Sequence, residues 1–406
     1  MEQQNIVVET SPICTKQTKT ELIKLCKERG IKGYNGRKKE DIVKALLSTE
    51  QVANPPEKVY RLDYIGSKYQ LLDWLTANMK EKTGWDSFSN KRIADLFSGT
   101  GIVAHHFRNN DAIVTSNDSE LYSSIITHAF TRSVYTENCK KIINDLQTEI
   151  DSKDLTSTGY ITQHYSPFET SERMFFTVEN AKRIDYIRQR IEALKDSITP
   201  DDYMFILASL IISADAVSNV PAVYGCFLKK FKAKALKTFT LRPIHTNTIP
   251  SQKGSQTYNS DVLNLDFIRS FEHEFDLVYL DPPYNQRQYS KNYFPLNMIA
   301  KTPESLLSEP LLSGKTGIPS DCFISPFCKK EDIVIKAFDT LFKELKTKWI
   351  FLSYNSESIV SKDKLVELMK KYGEVDVIER DYKRFKSFKY NKDVDIKEYL
   401  FSLKKH

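Results

Sequence analysis

Four consecutive residues, Asp281, Pro282, Pro283 and Tyr284, place a carboxylate, two rigid residues and an aromatic ring directly after the apolar run FDLVYL. Asp281 and the carbonyl of Pro282 could each accept a hydrogen bond from one amino group and stabilise positive charge developing on its nitrogen. The prolines fix the backbone, and Tyr284 offers a face to a base taken out of a duplex. The stretch therefore predicts a pocket that activates the amino group of a flipped base. The alternative is a proline-rich turn after a buried strand.

A second candidate site is the segment ADLFSGTGIVAHHF, residues 94–107, which begins like a strand and ends like a helix. Gly99 and Gly101 at the turn would let a ligand approach the backbone closely, and the helix start would present free N–H groups. Asp118 ends the next strand-like run, where an acid can accept hydrogen bonds from ribose hydroxyls. These residues predict a nucleoside-binding loop. A glycine-rich turn that binds nothing is the alternative.

The loop has the spacing D-x-F-x-G-x-G, starting with Asp95 and Phe97, instead of the G-x-G-x-x-G of dinucleotide sites. It thereby resembles the cofactor loop of S-adenosylmethionine-dependent methyltransferases. Upstream, Tyr64 and Lys68 precede an amphipathic helix, so Lys68 could neutralise the methionine carboxylate of that donor and Tyr64 could pack near it. An ordinary helix start with a solvated lysine is the alternative.

The elements that must position these residues alternate between strand-like and helical patterns from about residue 58. The runs RIADLF, AIVTSN, FDLVYL and KWIFLSY are strand-like, and helical stretches lie around them. This alternation predicts an α/β fold with a parallel sheet. Residues from about 130 to 255 differ, because they are mostly helical at first and then basic and irregular. We expect one domain at 58–406 with this insert inside it.

The composition of the 406-residue chain sets limits on its class. It has a formal net charge of +6 and 40% hydrophobic residues, which fits a large core and a polyanionic partner, although many other enzymes share this balance. The first residues lack the basic and then apolar pattern of a secretory leader, and no run of about 18 apolar residues appears, so we expect neither secretion nor membrane insertion. The six cysteines form no C-x-x-C pair, so we expect reduced thiols and no metal site in a cytoplasmic protein of a prokaryotic cell or viral host.

A basic stretch within the insert is the candidate DNA surface. Residues 216–260 contain no Asp or Glu. They carry Lys229, Lys230, Lys232, Lys234, Lys237, Arg242 and Lys253. A run of one sign favours an anion as neighbour, and phosphates would serve. The alternative is a solvated basic loop. A second cluster, RDYKRFKSFKYNK, could face the same DNA.

The N-terminal segment LCKERGIKGYNGRKKEDIVKALL resembles a SAP domain, a small helix–loop–helix module that binds DNA. We expect a flexible N-terminus at 1–15, this module at 16–50 and a linker at 51–57. The resemblance implies phosphate contacts by Lys32, Arg37, Lys38 and Lys39. A hairpin that contacts protein is the alternative.

The motifs YIGSK, DLFSGTG, SND and DPPY occur in this order, with a long insert before the last. In this they resemble adenine-specific DNA methyltransferases of the Dam-like and type II restriction–modification group. The resemblance implies a Rossmann-like sheet with an inserted target-recognition region. It also implies transfer of a methyl group from S-adenosyl-L-methionine to N6 of adenine in a short duplex sequence, by base flipping. Expected partners are double-stranded DNA and a cognate restriction endonuclease, for a monomer or weak dimer.

The resemblance also implies roles for single residues. Contacts to the donor are implied for Tyr64, Lys68, Asp95, Phe97, Gly99, Gly101, Asp118 and, near the adenine ring, Asp261. The catalytic pocket would be formed by Asp281, Pro282, Pro283 and Tyr284, with Arg287, Tyr289 and Tyr293 near the base or its phosphates. Related cytosine methylases usually begin this motif with serine and glutamine methylases with asparagine, so Asp281 favours adenine. Methylation of RNA or of a cytosine amino group stays open, as does a DNA-binding protein with a decayed methyltransferase fold.

Overall fold

The computed structural model describes residues 18–28, 38–40, 42–43, 57–309, 312, 314–382 and 396–406. Its internal contacts divide the chain into two compact units, residues 1–58 and residues 59–406.

In the first unit, the helix Lys19–Glu28 begins with a reciprocal cap. The Thr18 hydroxyl accepts a hydrogen bond from the Glu21 amide, and the Glu21 carboxylate accepts one from the Thr18 amide at 2.7 Å. Leu22 and Cys26 of this helix pack with Ile42. Residues 29–37, 41 and 44–50 of the predicted helix–loop–helix lie outside the described residues, so the SAP resemblance stays a prediction.

The second unit is built on a sheet of seven strands within the described residues. They are β1 (Arg92–Asp95), β2 (Ile113–Asp118), β3 (Gln256–Asn259), β4 (Phe275–Leu280), β5 (Thr347–Asn355), β6 (Gly373–Tyr382) and β7 (Ile396–Lys405). Their order is β3-β2-β1-β4-β5-β7-β6. The strands β1 to β5 pair in parallel, whereas β7 is antiparallel to both β5 and β6. The predicted Rossmann-like α/β fold is confirmed.

Side chains of each central strand alternate between two apolar layers. In β4, Leu277 and Tyr279 face one layer, and Val278 and Leu280 face the other. The first layer contains the helices Leu72–Thr83 and Ile102–Arg108. The second contains the helices Leu265–Arg269, Glu331–Glu344 and Lys362–Met369. Because both of its faces are covered, the central strand β4 (FDLVYL) is almost wholly apolar, as buried parallel strands usually are.

A helical body forms a third core. It contains the helices Leu121–Thr131, Glu137–Ser152, Tyr160–Tyr165, Val178–Leu194, Pro200–Asp215 and Phe294–Ala300. Short elements are Tyr289–Asn292 and Pro303–Leu306 (α) and Tyr69–Leu71, Lys195–Ser197 and Pro326–Cys328 (3-10). Residues 216–255 contain no helix or strand, as the irregular pattern predicts. Among the described helices, none is both long and apolar enough to span a membrane.

Candidate active site

A cleft of about 1250 Å³ lies at the edge of the sheet where β1, β2 and β4 end. The chain leaves β1 to one side for β2 and crosses to the other side for β4, and ligands of such sheets bind where the strand order reverses. The cleft is lined by all four predicted catalytic residues and by every predicted cofactor residue except Gly101. Arg287 and Tyr289 also line it.

The two glycines of the loop after β1 are needed for different reasons. Both adopt positive φ, 50° at Gly99 and 73° at Gly101. A side chain at Gly99 would meet the ring of Tyr64 at 3.3 Å, so its absence keeps the loop backbone open to the cleft. A side chain at Gly101 would lie 2.9 Å from the ring of Phe130 and 3.0 Å from the Thr127 hydroxyl. Gly101 therefore serves helix packing behind the cleft.

Asp118, at the end of β2, ties its strand to the glycine loop. Its Oδ2 accepts a hydrogen bond from the Gly99 amide at 2.8 Å, and its Oδ1 accepts one from the Glu120 amide at 2.9 Å. Burial raises the pKa of Asp118. The carboxylate lines the cleft, where a ligand could reach it.

Asp95, at the end of β1, is a buried acid with no side-chain partner among the described residues. It is 1% exposed, and among the described residues neither of its oxygens has a hydrogen-bond partner. Burial raises its pKa well above the usual range, and the charges of Asp281 and Asp118 raise it further. A buried acceptor of this kind is costly unless a donor arrives. The pocket therefore fits a ligand that brings N–H donors or positive charge.

Lys68 and Asp281 form an ion pair inside the cleft. The Lys68 Nζ lies 2.9 Å from Oδ1 of Asp281, and the side chains are 4% and 17% exposed. Lys68 also donates to the carbonyl of Gly66 at 2.9 Å. The hydroxyl of Tyr284 donates to the same Oδ1 at 2.7 Å, and the Lys68 ammonium lies 4.9 Å from the centre of the Tyr284 ring. Lys68 and Tyr284 thus both bind the carboxylate of Asp281, the predicted catalytic residue, and fix its position.

The sequence interpretation missed Glu398, which lines the same cleft. β7 runs antiparallel to β5, so its start lies where the parallel strands end, and Glu398 pairs with Asn355. Glu398 is 7% exposed, and its Oε2 has no hydrogen-bond partner in the described part of the chain. Burial raises its pKa, while the Lys68 charge opposes that rise. Nothing in the segment EYLFSL, which begins with Glu398, predicts that this residue lies in the cleft.

Tyrosines fix the segment that carries Tyr64. The Tyr64 ring stacks on Tyr293 with centroids 4.7 Å apart, and Tyr289 lies 5.3 Å away. The Tyr293 hydroxyl accepts a hydrogen bond from the Ile65 amide at 3.0 Å, and the Tyr289 hydroxyl donates to the Ile65 carbonyl at 3.1 Å. Tyr293 is 1% exposed, so it positions Tyr64 from beneath and presents no surface to DNA.

Glu120 is a second acid that the sequence interpretation missed. It lines the cleft, is 5% exposed and accepts a hydrogen bond from the side-chain amide of Asn297 at 2.7 Å. Burial raises its pKa from 4.5 to about 7, and the charge of Asp118 contributes. Because Asn297 lies far along the chain, nothing in the SNDSE segment distinguishes this glutamate from a solvated one.

The predicted DNA-binding lysines differ in their surroundings. Lys229 and Lys230 are exposed. Lys232 donates to the carbonyl of Val220, and Lys234 pairs with Asp63 at 2.8 Å, so both are half-buried with protein partners. In the first unit Lys38 and Lys39 are exposed, whereas Lys32 and Arg37 lie outside the described residues. Arg287 is exposed at the cleft.

Comparison with known proteins agrees with this geometry. A family model described as D12 class N6 adenine-specific DNA methyltransferase matches residues 64–368, which include the glycine loop and the DPPY segment.

Three curated relatives resemble the chain over most of its length. The type II methyltransferase M.CviAII of Paramecium bursaria Chlorella virus 1 is 38% identical over 84% of this chain and 98% of its own. M.NlaIII of Neisseria lactamica, also a type II methyltransferase, is 38% identical over 81% of this chain and 93% of its own. M.FokI of Planomicrobium okeanokoites is 32% identical over 84% of this chain and 52% of its own.

Proposed function

Because this chain belongs to the family of D12 class N6 adenine-specific DNA methyltransferases, we propose that it methylates adenine in a short duplex sequence at the cleft described above, with S-adenosylmethionine as donor. One observation carries this proposal. Asp95, Asp118 and Asp281, which lie at or just beyond the ends of three neighbouring strands, line a single cleft together with Lys68.

The residues around the glycine loop fit this donor. S-adenosylmethionine supplies an electrophilic methyl group on a positively charged sulfur. Asp95 would accept hydrogen bonds from the ammonium group of its methionine part, which would satisfy the two buried oxygens that have no partner among the described residues. Asp118 would hold the ribose hydroxyls, and Asp261 would lie near the adenine ring of the donor.

Lys68 links donor binding to the catalytic carboxylate. Its ammonium holds Oδ1 of Asp281 at 2.9 Å. The carboxylate of the donor would also bind this ammonium and would draw it partly away from Asp281. A nearly buried ammonium group is stabilised more by two anions than by one. Asp281 would then keep the Tyr284 hydroxyl and have acceptor capacity free for the target base.

Asp281 and Pro282 would activate the target nitrogen. The amino group of adenine is a poor nucleophile because its lone pair is delocalised into the ring. Asp281 would accept a hydrogen bond from one of its protons, and the Pro282 carbonyl would accept one from the other. Fixed acceptors in a cleft that excludes water stabilise the positive charge that develops on this nitrogen during transfer. The Tyr284 ring would lie against the face of the flipped base.

Exposed cations would bind the duplex. Lys229, Lys230 and Arg287 are the candidates in the second unit, and Lys38 and Lys39 in the first. Two relatives of nearly full-length coverage are type II methyltransferases. We therefore infer that this chain modifies one short sequence and protects it from a cognate restriction endonuclease.

The proposal is tested in cells that lack adenine methylation of their own. The chain and an Asp281→Ala variant are expressed there, and the DNA is sequenced with modified bases identified. We expect N6-methyladenine in one short motif with the unsubstituted chain and none with the variant. Unmodified DNA in cells that contain folded, donor-binding protein would contradict the proposal.

A further inference from the structure

A leucine stands out on the basic loop, which is defined here as residues 229–237. Leu236 is 65% exposed, although most leucines of this chain lie in the core. Its chain neighbours at 234 and 237 are lysines, and Lys237 is exposed, as are Lys229 and Lys230 at the start of the loop. The loop thus presents one exposed large apolar side chain among cations.

Buried asparagine Asn180 holds the loop on both sides of this leucine. Its Nδ2 donates to the carbonyl of Ala235 at 3.2 Å and to that of Lys237 at 2.9 Å. Its Oδ1 accepts a hydrogen bond from the Phe239 amide at 2.9 Å. Asn180 is 3% exposed, so the side chain serves to fix this backbone. Leu236 is therefore presented in a defined position.

A second buried asparagine, Asn219, fixes the preceding part of the basic loop. Its Oδ1 accepts a hydrogen bond from the Lys232 amide at 3.0 Å, and its Nδ2 donates to the carbonyls of Leu228 and Met174 at 3.0 and 2.9 Å. Asn219 is wholly buried. With these two anchors, the exposed leucine is held on an ordered loop.

The basic loop lies at the rim of the cleft. Lys234 pairs at 2.8 Å with Asp63, which lines the cleft next to Tyr64. Pro221 and Ala222, which precede the loop, also line the cleft. A duplex that delivers a base to Asp281 would therefore pass beside this rim.

We propose that Leu236 is an apolar wedge that enters the duplex beside the target adenine and fills the space that the flipped base leaves. The inference rests on the proposed function. Proteins that distort duplexes insert apolar side chains such as leucine between base steps, where they replace lost stacking. The lysines at 229, 230 and 237 would hold the phosphates on either side, which positions the wedge without reading sequence.

The test compares two duplexes that carry the target motif identified by modification sequencing. In one, the target adenine is paired with thymine; in the other, it faces an abasic site, which lowers the cost of flipping. Methylation rates are measured for the unsubstituted chain, Leu236→Ala, Leu236→Met and Ile249→Ala. Ile249 is the matched control, because it is also 65% exposed but lies outside the basic loop.

We expect Leu236→Ala to methylate the paired duplex about tenfold or more slowly and the abasic duplex at nearly the unsubstituted rate. Leu236→Met should methylate the paired duplex at nearly the unsubstituted rate, and Ile249→Ala should change the methylation rate on neither duplex. An unchanged paired rate in Leu236→Ala, or an equal loss on both duplexes, would overturn the wedge. If the unsubstituted chain methylates neither duplex, the proposed function itself fails.

Discussion

The ammonium of Lys68 and the carboxylate of Asp281 are joined at 2.9 Å, although one residue precedes the sheet and the other follows its fourth strand. Both side chains are largely shielded from water, so the attraction between them is much less screened than on the surface. The same lysine is the residue proposed to meet the donor carboxylate. Under the proposed function, a single ammonium group would therefore couple donor binding to the state of the Asp281 carboxylate.

Replacing Lys68 by methionine should weaken donor binding by about tenfold or more. The variant keeps the length of the side chain but leaves Asp281 and Glu398 without their cation, so the anionic end of the donor meets two acids. Calorimetric titration with S-adenosylmethionine measures the change. Lys229→Ala, which alters an exposed lysine that does not line the cleft, is the control. Unchanged affinity in Lys68→Met would remove Lys68 from the donor site.

Replacing Asp281 by alanine should lower the methylation rate by about a thousandfold while the donor still binds. The acceptor for the target amino group is lost, whereas the glycine loop and Asp118 are untouched. The methylation rate of Asp281→Asn should lie between those of the unsubstituted chain and Asp281→Ala, because the amide oxygen of asparagine can accept a hydrogen bond but carries no charge. Single-turnover methylation and donor titration measure the two effects. Methylation that survives in Asp281→Ala would place the catalytic acceptor elsewhere.

Replacing Lys229 and Lys230 together by alanine should make DNA binding weaker and less dependent on salt. Each lost phosphate contact lowers the slope of log affinity against log salt by about 0.9, so the pair should lower it by about 1.8. Fluorescence anisotropy from low to high salt gives this slope. Lys140 and Lys141 form a matched control, since they are paired with Glu137 and Asp145. An unchanged slope in the first variant would exclude that pair as phosphate contacts.

Glu120 should make the ligand-free protein less stable as pH rises. Its pKa is 4.5 in an exposed chain and about 7 in the fold, because of burial first and then the charge of Asp118. The folded state therefore binds the proton more tightly, and the free energy of unfolding falls as pH rises from about 4.5 to about 7. Above that range this residue causes no further fall.

Glu120→Gln removes this contribution but keeps an oxygen for Asn297 to donate to. Between pH 4.5 and 7 the variant should lose less unfolding free energy than the unsubstituted chain, by on the order of 3 kcal/mol. Urea unfolding at a series of pH values measures the difference. Glu137→Gln alters an exposed glutamate of a nearby helix and should follow the unsubstituted chain. If the unfolding free energies of Glu120→Gln and of the unsubstituted chain changed equally with pH, burial would not raise the pKa of Glu120.

Local sequence patterns predicted the central strands and the fold class of the protein. The runs at β1, β2, β4 and β5 and the glycine turn carry their signal within a few residues, so the strands and the α/β fold could be derived from the sequence. The same holds for the gathering of Asp95, Asp118 and Asp281, because the carboxyl ends of parallel strands share one edge. Their chemical roles stay predictions.

What the sequence could not reveal depends on contacts between distant residues. Glu398 reaches the cleft only because β7 inserts antiparallel between β5 and β6. The ion pair of Lys68 with Asp281 joins residues far apart in the chain. The partners of Lys232 and Lys234 lie outside their own run, so composition alone grouped them with the exposed Lys229 and Lys230.

The central claim is that the cleft around Asp281 transfers a methyl group from S-adenosylmethionine to N6 of adenine in duplex DNA. The most direct test incubates the purified chain, and Asp281→Ala beside it, with duplex DNA and donor whose methyl group carries deuterium. The DNA is then digested to nucleosides for mass spectrometry. We expect deuterated N6-methyladenine from the unsubstituted chain and none from the variant. Label on cytosine, or equal label on adenine from both proteins, would contradict the claim.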